Sequence, residues 1–236
     1  IRDYLGPEMQ KLGVQIYLGT FTNSDDSRVA PTLTDNDTRK YISGITYQWW
    51  SYNKARSLYH TGFNQGMMQS ETMCGDGNNN WQYAEYQFDE MYMYFTNGIS
   101  AYTMWNMVLE WDGENPGGNN TAPNPWHQNA PITVNENTKK YSINPHFYEI
   151  KHYSDAVKAN ARRIESGGTY DMPYQPSQDS DKEWDSVYSS ELREIAFRNV
   201  DGTISLLVKN GSNQDKNVDI NFNGRKVSVT IPAHSI

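Results

Sequence analysis

Gly66-Met67-Met68-Gln69-Ser70-Glu71-Thr72-Met73-Cys74-Gly75-Asp76-Gly77 is the stretch on which the reading of this chain turns. Residues 66–71 open on a glycine, are apolar at first and end in a carboxylate, which reads as a strand. The Gly-rich run Cys74–Gly77 breaks it. Beyond the turn, Trp81, Ala84, Phe88, Met91 and Phe95 recur at helical spacing. That spacing predicts a helix over 80–96 with one apolar stripe packed into a core. Strand, turn and helix in this order are the unit of a parallel sheet.

The same unit repeats on both sides. Upstream, Val14–Gly19 reads as a buried strand, and Thr34 or Asp35 caps a short helix over 35–41. Ile42–Trp50 is a second strand ending in aromatics, followed by a short helix over 53–60. Downstream, Ile99–Leu109 reads as a fourth strand, and a Gly/Pro/Asn loop runs from Asp112 to about Gln128. Asn144-Pro145 opens another helix, with Asn as N-cap and Pro at the first helical position. Phe147, Ile150, Ser154 and Val157 mark its expected inner face. Four strand–helix pairs imply a parallel sheet with right-handed crossovers.

The pattern changes after residue 160. Stretches 193–200 and 203–209 flank Asp201-Gly202, and two alternating apolar runs flank Asn223-Gly224. Such dipeptides between alternating runs predict hairpins of an antiparallel β-sandwich. The Ser/Asp/Gln/Pro-rich segment 168–186 is the expected loop within it. The expected fold class is therefore α/β: half of a (β/α)8 barrel over 1–157, then a sandwich over 158–236. A whole barrel takes about 250 residues. The other four units are expected upstream or on a companion chain, and the sandwich is expected to continue past Ile236.

Composition narrows the function. The formal net charge of this 236-residue chain is −8, and no basic run occurs. Nucleic acid and anionic membrane surfaces are thereby disfavoured as partners. With a mean hydropathy of −0.83 and only strand-sized apolar stretches, no transmembrane span is expected. The single cysteine, Cys74, allows no internal disulfide, and the five histidines show no metal-ligand spacing. No metal or cofactor is expected. Asn-x-Ser/Thr triplets at Asn36, Asn119 and Asn210 are frequent by chance in an Asn-rich chain. The chain holds 7 Trp and 17 Tyr. Most of these fill cores, but indoles also stack on sugar faces.

In a β/α barrel, catalytic groups stand at the C-terminal ends of strands. Those ends here carry Gln48, Trp49 and Trp50, then Ser70 and Glu71, then Trp105 and Asn106 with Glu110 just beyond. One carboxylate ringed by indoles and amides suits glycoside hydrolysis, which needs a nucleophile, an aromatic platform and hydroxyl partners. A single glutamate is ordinarily a solvated surface residue. Glu71 differs because it ends an apolar strand, where an unpartnered charge is costly.

Gln69-Ser70-Glu71-Thr72-Met73-Cys74-Gly75 resembles the nucleophile strand of glycoside hydrolase family 30, the glucosylceramidase family. The resemblance runs in order along nearly the whole chain. Asp3-Tyr4-Leu5-Gly6-Pro7 resembles the helix before its fifth strand. Gly44-Ile45-Thr46-Tyr47-Gln48-Trp49 resembles its sixth strand, and Trp105-Asn106-Met107-Val108-Leu109-Glu110 its eighth. Pro131–Val134 and Asn144–Tyr148 resemble the approach to its last barrel helix.

The resemblance implies strands five to eight of a TIM barrel plus sandwich, and a retaining β-glycosidase with Glu71 as covalent nucleophile. Trp49 and Trp105 would line the first sugar subsite. Trp50, Gln48, Asn106 and Glu110 are further candidate substrate contacts. The general acid/base follows an upstream strand of the family, so this chain by itself is expected to be inactive. Expected substrates are β-linked glucosides, glucans or glycolipids, of glucosylceramide or β-1,6-glucan type, and the expected location is secreted or periplasmic. The competing expectation is a carbohydrate-binding or assembly subunit that lacks activity without its N-terminal half.

Overall fold

The computed structural model describes residues 1–22, 29–49, 51–52, 55, 65–111, 118–119, 127–167 and 191–236. They form two compact units: 1–73 with 93–105, and 74–92 with 106–236.

The first unit is built on a four-stranded parallel sheet in the order β1 (Ile16–Phe21), β2 (Ile42–Gln48), β3 (Gly66–Glu71), β4 (Ala101–Tyr102). Helix α1 (Leu5–Lys11) precedes β1, and α2 (Ala30–Thr34) and α3 (Asn36–Arg39) lead into β2. Asp35 caps α3 by accepting from the Asp37 amide at 3.1 Å, one of the two caps expected. Strand β3 spans the residues expected for it. The expected helix over 53–60 and residue Trp50 lie outside the described residues, apart from the helical Ala55.

The fourth strand departs from expectation. Only Ala101 and Tyr102 join the parallel sheet. After them, the Thr103 amide donates to both the backbone and side-chain oxygens of Gln69 at 3.0 Å each. Both peptide groups of Trp105 are taken by the Thr72 hydroxyl. These side chains replace the ladder, and the continuous strand expected over 99–109 does not form.

The second unit contains β5 (Val108–Trp111), which pairs in parallel with β8 (Ile132–Asn135), itself antiparallel to β9 (Tyr141–Ile143). Strands β6 (Gly118–Asn119) and β7 (His127–Gln128) pair within the expected loop. Antiparallel strands β10 (Arg162–Ile164), β11 (Leu192–Arg198) and β12 (Ile204–Asn210) form one sheet; β13 (Lys216–Phe222) and β14 (Arg225–Ile231) form a hairpin. Asn223 and Gly224 both have positive φ, 49° and 74°. This is the I′ turn that Asn-Gly favours between twisted strands. The expected loop over 168–186 lies outside the described residues.

Helix α4 (Trp81–Thr96) runs through both units. Its burial is not a stripe. Residues 83–94 are all buried, including Glu85, Gln87, Asp89 and Glu90, while Trp81 and Phe95 of the expected stripe are half-buried. At Asp89 the reason is electrostatic pairing: it meets Arg193 of β11 at 3.0 Å and Lys209 of β12 at 2.5 Å.

Helix α5 (Pro145–Ala156) also turns a different face inward. Its buried residues are His146, Glu149 and Tyr153, not Phe147, Ile150, Ser154 and Val157. The Tyr83 ring meets His146 edge-on at 5.2 Å, and Phe88 and Phe197 flank Tyr153. Asn144 stands at the N-cap position, but its amide donates to the Ala130 carbonyl at 2.6 Å instead of capping. Burial pushes the His146 imidazole down to about 3, so it is neutral.

Burial pushes the Glu149 carboxyl well above the usual range, and Glu90 and Asp89 add to the rise. A raised folded-state value favours folding at pH below the unfolded value and loses that contribution as pH rises towards the folded one. Glu149→Gln, which cannot ionise, is therefore expected to raise the thermal midpoint more at pH 7 than at pH 4. Equal shifts at both pH values, read by calorimetry, would contradict this.

Candidate active site

Glu71, Trp49 and Trp105 come together in the first unit through specific local bonds. Gln48 pairs with Glu71 across β2 and β3, after a register irregularity at Tyr47/Gln48. One residue later the chain turns sharply: Trp49 has φ 54°. A bulky residue in the left-handed region costs on the order of 1–3 kcal/mol and persists only where surroundings enforce it.

Three bonds surround this turn. The Trp49 amide donates to the Glu71 carbonyl at 3.0 Å, and the Tyr94 hydroxyl donates to the Trp49 carbonyl at 2.6 Å. The indole Nε1–H of Trp49 then reaches the Glu71 carboxylate, donating to Oε1 at 3.0 Å. Among the described residues, Glu71 Oε2 accepts no hydrogen bond. The carboxylate is thus oriented through one oxygen. Both side chains are half-buried.

Thr72 organises the other flank. It is fully buried, and its hydroxyl accepts from the Trp105 amide at 3.1 Å and donates to the Trp105 carbonyl at 3.2 Å. Trp105 is thereby fixed next to the end of β3 while remaining 42% exposed.

Asn106 and Glu110 belong to the second unit. The Asn106 amide donates to Gln128 Oε1 at 2.6 Å. Side-chain hydrogen bonding with Glu136, and the like charge of that neighbour, raise the Glu110 carboxyl above the usual range. Among the described residues, no three His, Cys, Asp or Glu side chains cluster as a metal site, and no helix is long and apolar enough to cross a membrane.

Sequence reasoning did not single out Gln69, Thr72 or Tyr94. Gln69 carried a signal, because Met67, Gln69 and Glu71 share one side of a strand with period two, which places an amide where burial is expected. Thr72 had only its adjacency to Glu71, and Tyr94 had no signal.

Residues 160–236 match the glycosyl hydrolase family 30 β-sandwich domain. The match covers the C-terminal third of the chain. The remainder is similar to family 30 proteins in sequence and fold, as the sequence analysis expected. The endo-1,6-β-D-glucanase neg1 of Aspergillus fumigatus is 20% identical over the whole chain, which covers 45% of that protein. SrfJ of Salmonella typhimurium superposes with a TM-score of 0.76 at 20% identity, over 99% of this chain and 49% of SrfJ. The endo-β1,6-glucanase BT3312 superposes with a TM-score of 0.73 at 19% identity, over 99% of this chain and 50% of its own. The chain therefore spans about half the length of the relatives it matches. The fold is the expected one: the C-terminal part of a TIM barrel followed by a β-sandwich.

Proposed function

We propose that the complete protein is a retaining β-glycosidase in which Glu71 is the nucleophile. The observation that carries this reading is the Trp49 indole N–H bond to Glu71 Oε1, which leaves the other carboxylate oxygen without a hydrogen bond among the described residues. The free oxygen attacks the anomeric carbon as the glycosidic C–O bond breaks. The leaving oxygen takes a proton from a second carboxyl, expected on a preceding strand about 5–5.5 Å away. Water deprotonated by that same carboxylate then attacks the glycosyl ester, and Glu71 is regenerated.

Trp105 is the platform for the sugar ring, and Trp49 both orients the nucleophile and faces the same ring. Gln48, paired with Glu71 at the end of β2, offers an amide for a sugar hydroxyl. The names of the fungal relative and of one structural neighbour favour a β-1,6-linked glucan as substrate over a monomeric glucoside.

The test is covalent trapping. The complete protein, treated with an activated 2-fluoro-β-glucoside, is expected to gain one fluoroglucosyl group within the peptide containing Glu71. Peptide mass spectrometry that places the group on another carboxylate would overturn the assignment.

A further inference from the structure

We propose that Tyr94 is a positioning residue for the nucleophile, holding Trp49 in the backbone conformation from which its indole N–H reaches Glu71. The inference rests on the reading of Glu71 as nucleophile. It deepens that reading by naming what sets the nucleophile's orientation.

Three observations converge on Tyr94. The first is the conformation it meets: Trp49 has φ 54°, where a bulky side chain is not stable by itself. The second is the pair of bonds that enclose this residue. Its N–H is taken by the Glu71 carbonyl at 3.0 Å and its C=O by the Tyr94 hydroxyl at 2.6 Å. With both flanking peptide groups fixed, the Cα–Cβ direction is fixed, and the indole is aimed at Glu71 Oε1, 3.0 Å away.

The third is the rigidity of Tyr94 itself. Its side chain is fully buried near the end of α4. Its ring packs edge-on against Tyr52 at 5.6 Å and against Tyr102 at 6.0 Å. A ring held on two sides cannot swing its hydroxyl to another acceptor. A phenylalanine would fill the same space, so packing alone does not call for the oxygen.

Without that hydroxyl, the Trp49 carbonyl loses the donor that stabilises the left-handed turn. Relaxation to negative φ would carry the indole away from Glu71. The carboxylate would keep its place on β3 but lose its orientation. Tyr94 touches neither substrate nor the attacking oxygen, so its effect runs through Trp49.

The experiment is a double-mutant cycle in the complete protein, read by the rate of inactivation with the activated 2-fluoro-β-glucoside. Tyr94→Phe is expected to slow glycosylation of Glu71 by about 10- to 100-fold. Trp49→Phe, which removes the indole N–H, is expected to do at least as much. Because both act through one bond, the double variant is expected to be no slower than Trp49→Phe. Near-ultraviolet circular dichroism, sensitive to the Trp49 environment, reports the turn independently of activity and is expected to change in Tyr94→Phe. An unchanged inactivation rate, multiplicative losses in the double variant, or an unchanged spectrum would each overturn the proposal. Labelling at a residue other than Glu71 in the unsubstituted protein would instead overturn the function reading on which it rests, so the two failures are distinguishable.

Discussion

Glu71→Gln in the complete protein is expected to lower kcat by about 10⁴-fold or more, the scale of removing a nucleophile. That loss corresponds to about 5.4 kcal/mol of transition-state stabilisation. The substitution keeps the shape of the side chain, and its amide oxygen can still accept the Trp49 indole N–H. What it removes is the charge and the lone-pair nucleophilicity needed to form the glycosyl ester. Because Trp105 and Trp49 are untouched, sugar binding measured by calorimetry is expected to stay within a few-fold of the unsubstituted protein. Turnover above a tenth of normal would exclude Glu71 as the attacking group. Loss of sugar binding together with turnover would assign Glu71 to binding instead.

How much of this site could be read in advance follows from the range of the interactions that build it. Strand 66–71 and the Asn223-Gly224 turn are encoded by neighbouring residues, and both form as expected. The approach of Trp49 and Glu71 follows from topology: adjacent parallel strands bring their C-terminal ends together. The turn at Trp49 does not follow from topology, because its donor, Tyr94, lies 45 residues along the chain.

The same limit explains the broken fourth strand. The hydroxyl of Thr72 and the amide of Gln69 capture its backbone from more than thirty residues away. It explains the helix faces too. Periodicity assigns aspartate to solvent, and at Asp89 of α4 that assignment reverses because Arg193 of β11 and Lys209 of β12 pair with it.

That pairing leads to the largest expected effect on stability. Asp89 is fully buried, Lys209 is fully buried, and the Arg193 side chain is 8% exposed. The guanidinium also lies 4.9 Å from the centre of the Tyr92 ring. Burial pulls the Lys209 ammonium below its usual value, and Asp89 opposes that pull. Asp89→Ala would remove the carboxylate that two cations in the interior share. Removing one partner of a buried ion pair costs about 3–5 kcal/mol, because the remaining charge is desolvated without compensation.

For a protein of at least this size, that is a fall of roughly 6–20 °C in thermal midpoint. The decisive comparison is with the triple replacement Asp89→Leu, Arg193→Met and Lys209→Met. It removes all three charges at similar volume and is expected to recover most of the loss, since an apolar substitute avoids the desolvation penalty altogether. If Asp89→Ala melts within about 2 °C of the unsubstituted protein, the cluster does not hold α4 to the sandwich strands. If the triple variant is no more stable than Asp89→Ala, the cost lies in lost packing around the helix, not in stranded charge.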